Sequence, residues 1–80
     1  MNEQRFIEVF AERLRQGLKY RRQENRKAMT QHRLAEATGI HYSTISRYAR
    51  AKRMPSAAHA AQIAEALGLD LGWLCGGGRM

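Results

Sequence analysis

Eighty residues make one domain with a modest core, which helices build economically. An apolar content of 44% is too high for a disordered chain, and no run of 18 apolar residues exists to cross a bilayer. Fourteen Lys and Arg against seven Asp and Glu leave a net charge of +7, and the excess sits toward the front: residues 1–29 carry eight basic and four acidic side chains, 30–55 five and one, 56–80 one and two. A basic front and a near-neutral back point to a polyanion on one side of the fold. The plain alternative is a small basic protein kept soluble by its charge. The first residues, MNEQRFIEVF, carry acids and no apolar core, so no signal peptide is expected. Cys75 stands alone, which excludes an internal disulfide, matches no metal-ligand spacing and suits a reducing cytoplasm.

In chain order, Phe6, Phe10, Leu14 and Leu18 recur every fourth residue, with Val9 beside them. That spacing predicts a first helix over 3–26, opened by Asn2 and weakened or bent at Gly17. Arg21 to Lys27 is almost wholly polar. Arg22 and Arg26 there either belong to a solvated face or add sequence-blind, salt-dependent phosphate contacts. Thr30 is a candidate N-cap for a second helix over 31–38, with Leu34 and Ala35 inward and Gly39 as its stop. Ile40 is expected to plug the core. A third helix over about 42–50 turns Ile45, Tyr48 and Ala49 inward and leaves Tyr42, Ser43, Thr44, Ser46, Arg47 and Arg50 outward. Ser56 caps a fourth helix with the stripe Ala60, Ile63, Ala64 and Leu67, stopped by Gly68. Asp70 caps a short fifth helix carrying Leu71, Trp73 and Leu74. The fold class is all-α. A single domain spans 1–76, and residues 77–80 are expected to be a disordered tail.

Two short helices joined by a three- or four-residue turn make a helix-turn-helix, over 30–50 here. A small residue is needed where the helices approach, and Ala35 supplies it; the turn needs positive φ, and Gly39 supplies that. The second helix of such a pair fits a DNA major groove about 12 Å wide. Its outward residues are hydrogen-bonding types suited to base edges, and Arg50, Lys52 and Arg53 would lie over flanking phosphates.

The ordered set Met29-Thr30-Gln31, Leu34-Ala35, Gly39-Ile40, Ile45-Ser46-Arg47-Tyr48, Pro55-Ser56, Ile63-Ala64, Ala66-Leu67-Gly68 and Trp73-Leu74 resembles the lambda-repressor-like helix-turn-helix family of phage repressors, Cro proteins, XRE regulators and some antitoxins. The likeness covers about residues 20–76. It implies a bundle of five helices that binds operator DNA, usually as a symmetric dimer. Carried onto this chain, it implies that His41, Tyr42, Ser43 and Arg47 face bases. Gln31 would touch a phosphate and brace a recognition-helix residue. Thr44 and Ser46 would lie nearer the groove wall, and Arg50, Lys52 and Arg53 along the strand. Two features depart from the family pattern. An acid and a glycine usual after the recognition helix are Ala49 and Ala51 here, which leaves open how that helix ends. Residues 1–19 also extend the first helix, so its Phe6, Phe10, Leu14 stripe is either core cover or a contact with a second subunit.

Alternatives stand beside several of these roles. Arg47 either bridges guanine O6 and N7 or is a surface or phosphate-bound arginine. Tyr42 either meets a thymine methyl or phosphate, or covers the helix start. His41 is either a reader or part of the helix cap. Tyr48 is expected in the core, His32 and His59 without a role, and Trp73 and Leu74 either core cover or near a dimer contact. The leading functional expectation is a sequence-specific double-stranded DNA-binding regulator, a repressor or Cro-like homodimer acting in the cytoplasm by occupying a palindromic operator. The alternative is an antitoxin-type module that binds a protein partner and DNA secondarily. An RNA or nonspecific binder would need more aromatics on the basic face. No paired carboxylates, triad or phosphate-cradling loop suggests an enzyme, and no cofactor, metal or small-molecule ligand is expected.

Overall fold

Asn2 opens the first helix, its Oδ1 accepting the Arg5 N–H at 2.7 Å. The computed structural model describes residues 2–25 and 29–78, and the side chains of all of these except 22–25. Five helices are described: α1 (Glu3–Asn25), α2 (Gln31–Thr38), α3 (Tyr42–Ala49), α4 (Ala57–Leu67) and α5 (Leu71–Leu74). Among the described residues there is no strand, and no helix is long and apolar enough to cross a membrane.

The fourfold stripe of α1 is the spine of the core. Phe10, Leu14 and Leu18 are buried and Phe6 packs half-buried beside them. The Phe10 ring meets Tyr48 of α3 edge-on, centroids 6.1 Å apart at 82°, the arrangement that ring quadrupoles favour. The added length of α1 is therefore core cover over the back of α3. Gly17 does not break the helix. It is buried where Leu69 crosses, and a Cβ there would stand 2.5 Å from Leu69 Cδ1. The glycine allows a close approach at the cost of some helix propensity.

Each helix end is closed by a local device. Thr30 Oγ1 accepts the Arg33 N–H at 3.1 Å, and Gly39, at φ 76°, donates to the Ala35 carbonyl. Ser56 Oγ accepts from His59 N at 3.0 Å, and Asp70 Oδ2 from Trp73 N at 2.9 Å. The α4 terminus is a Schellman motif: Gly68 takes φ 66°, Leu69 N–H donates to Ala64 O and Gly68 N–H to Glu65 O. Leu69 then turns back into the core.

Arg13 binds α5 to α1. Its Nη1 donates to the Trp73 carbonyl at 2.7 Å and the Gly77 carbonyl at 3.0 Å, while the guanidinium carbon lies 4.8 Å from the Trp73 ring centroid. The Gly77 N–H also donates to Gly72 O at 2.7 Å. Of the residues 77–80 expected to form a disordered tail, Gly77 is thus tied back to α5, and 79–80 lie outside the described residues. Cys75 packs half-buried against the core, and burial pushes its thiol above the ordinary range.

Candidate nucleic-acid interface

Helix α3 has an inner side wholly committed to the fold. Ile45, Tyr48 and Ala49 are buried, as the spacing predicts. The Tyr48 hydroxyl lies 2.6 Å from His59 Nδ1 of α4, which gives a buried phenol its hydrogen-bond partner. His59, expected to have no role, therefore links α3 to α4. In front of α3, the turn is drawn tight by Thr38. Its hydroxyl donates to Leu34 O at 2.8 Å and accepts the Ile40 N–H at 3.2 Å, which seats Ile40 in the core.

His41 is the N-cap of α3: its Nδ1 accepts the Ser43 N–H at 3.0 Å, with Ser43 Oγ at 2.9 Å. An imidazole nitrogen thus does the work usually given to a Ser or Asp oxygen. The cap alternative for His41 is realised, and Nδ1 is occupied. Tyr42 follows, 38% exposed, with its ring stacked on His32 of α2 at a centroid distance of 3.8 Å. His32, likewise expected to have no role, covers one face of the Tyr42 ring.

The C-terminus of α3 answers the question raised by the missing glycine. Ala51 itself takes the left-handed conformation, φ 58°, as the single positive-φ residue other than glycine among those described. Lys52 N–H donates to Arg47 O at 2.8 Å and Ala51 N–H to Tyr48 O at 3.2 Å, a second Schellman motif. Arg15 of α1 adds a charged cap by donating from Nη1 to the Ala49 carbonyl. Neither device was legible beforehand. Alanine carries no signal for positive φ, and an arginine 34 residues away in the chain reads as surface.

Outward, the arrangement differs. Arg47, Arg50, Lys52 and Arg53 are exposed, and among the described residues their cationic groups have no hydrogen-bond or ion-pair partner. Ser43, Thr44 and Ser46 are half-buried along the same helix, and Gln31 is half-buried at the first residue of α2. The fold thus brings the expected α2, α3 and post-α3 residues onto one continuous helix-turn-helix unit. Arg22 lies on α1 with its side chain outside those described, and Arg26 lies outside the described residues. Arg13 and Arg15 are used inside the fold, so they drop out of any count of free charge. Among the described residues no three His, Cys, Asp or Glu side chains gather as a metal site.

A family model described as helix-turn-helix matches residues 18–74. That span contains α2 to α5 and the end of α1, and leaves residues 1–17 as the extension. No curated protein and no solved structure matches the chain.

Proposed function

Because the chain belongs to the XRE/lambda-repressor-like helix-turn-helix family of DNA-binding regulators, we propose that it is a sequence-specific repressor or Cro-like protein that acts by occupying an operator. The carrying observation is the division of the α3 segment: Ile45, Tyr48 and Ala49 are spent on the core, while Arg47, Arg50, Lys52 and Arg53 are exposed with no partner among the described residues. Leaving four cationic side chains unpaired along one segment disfavours compaction unless a polyanion meets them. Arg47 is the principal base reader, through guanine O6 and N7. Tyr42 and Ser43 assist, and His41, its Nδ1 held by the cap, offers only its Nε2 side. Gln31, Thr44, Ser46, Arg50, Lys52 and Arg53 meet the backbone, with Arg22 and Arg26 adding long-range attraction. Binding as a homodimer would place two half-sites about 10–10.5 bp apart on a palindrome. Action by occupancy requires no chemistry, cofactor or small ligand.

An antitoxin-like role would need a segment free to hold another protein. Among the described residues the α1 extension is the candidate, and Phe10 and Leu14 within it are buried in this chain's own core. The DNA reading is tested with Arg47→Ala, comparing a preferred duplex with a scrambled one. The variant is expected to bind both equally, at close to the wild-type affinity for scrambled DNA in low salt. Equal losses on both duplexes would remove Arg47 from base reading.

A further inference from the structure

His32 and Tyr42 form the one ring–ring contact described between the first turn of α2 and the start of α3, parallel to within 3° at 3.8 Å. Both residues are exposed, so the stack is no part of the core. Elsewhere a histidine meets a tyrosine at Tyr48 and His59, where the contact satisfies a buried hydroxyl. At Tyr42 the hydroxyl has no partner among the described residues, and the contact is made through the ring face alone. A phenol so held has one face covered and fewer rotamers open to it, and its O–H remains unpartnered among the described residues. Exposed tyrosines without such a partner move among rotamers in picoseconds to nanoseconds.

We propose that His32 is a positioning residue for sequence reading: by stacking on one face of Tyr42 it holds the phenol so that the hydroxyl meets an acceptor on the DNA. The proposal rests on the DNA-binding reading above and adds a residue to it that does not itself touch DNA. A phenol hydroxyl both donates and accepts. In the major groove its acceptors are guanine O6 or N7, adenine N7 and thymine O4, with phosphate oxygens at the groove wall. Stacking on a base or thymine methyl through the face under His32 is excluded while that contact lasts.

The test is a double-mutant cycle, read by fluorescence anisotropy on the duplex most enriched from a random pool and on a scrambled duplex. The variants are His32→Ala, Tyr42→Phe, both together, and His32→Phe. Aromatic pairs and single neutral hydrogen bonds predict a loss of about two- to tenfold for each of the first two on the enriched duplex. The double variant should bind no more weakly than Tyr42→Phe alone, because His32 acts through that hydroxyl. His32→Phe keeps the stack without ring nitrogens and should restore affinity to within about twofold. In the free protein, His32→Ala should move the Tyr42 ring-proton resonances downfield as ring-current shielding is lost. Losses that multiply in the double variant, failure of His32→Phe to rescue, or unmoved Tyr42 resonances would each overturn the proposal. A wild-type protein with no preferred duplex overturns the DNA reading and the proposal with it; a preferred duplex indifferent to His32 overturns the proposal alone.

Discussion

Ala51→Gly should stabilise this protein. Ala51 stands at φ 58° in the Schellman turn that ends α3, a conformation that costs an L-residue with a Cβ about 1–2 kcal/mol. Glycine removes that cost, but its freer unfolded chain takes back about 0.4–1 kcal/mol. The net gain spans about 0–1.6 kcal/mol with its centre near 0.8 kcal/mol, which for a domain of this size raises the melting midpoint by about 3–6 °C. The end of α4 supplies the reverse experiment. Gly68 occupies the same motif position at φ 66°, and a Cβ there would meet nothing nearer than Arg21 Nη1 at 3.6 Å, an ordinary contact. Gly68→Ala therefore carries backbone strain without a clash and should lower the midpoint by a similar amount. Thermal melts followed by helical circular dichroism read both, with Ala51→Val as a control that should fall below wild type because a β-branch resists positive φ. A midpoint unchanged or lowered in Ala51→Gly would refute the strained-turn account of how α3 ends.

Gly17→Val should destabilise by about 1–3 kcal/mol, since even a Cβ would be forced against Leu69 Cδ1; an unaltered urea midpoint would mean that Leu69 does not cross there. Arg15→Ala removes the charged cap on the Ala49 carbonyl. It should cost about 1 kcal/mol, discounted because Arg15 is exposed, and should speed amide exchange at Ala51 and Lys52. Exchange unchanged in that turn would show the cap to be without effect. Lys52→Ala and Arg53→Ala should weaken binding to every duplex and each lower the slope of log affinity against log salt by about one. A slope equal to wild type would place them away from phosphate.

The parts of the fold that were legible in the sequence are those with local causes. Thr30, Ser56 and Asp70 signal caps because their oxygens reach an N–H within the next turn, and Gly39 and Gly68 signal stops because glycine accepts positive φ at little cost. The spacing of Phe10, Leu14, Leu18, Ile45 and Tyr48 gave the core faces for the same reason. What stayed hidden depends on partners distant in sequence or on an unfavourable residue held by its surroundings. Arg13 and Arg15 look like surface charge until α5 and the end of α3 are brought to them, and Ala51 looks like helix. His32 and Tyr42 lie on successive helices, and the tight turn at Gly39 brings their rings together. The outward residues of the candidate interface were legible as types, whereas which are held by neighbours, as His41 and Tyr42 are, and which are free, as Arg47 is, required the fold.

The central claim is that α3 reads base sequence. The purified chain should be used to select duplexes from a random DNA pool at about 150 mM salt, where sequence-blind phosphate contacts are weakened. The account predicts enrichment of a defined, two-fold symmetric sequence that is lost when Arg47→Ala is used instead. A pool that stays random with the wild-type chain would contradict it.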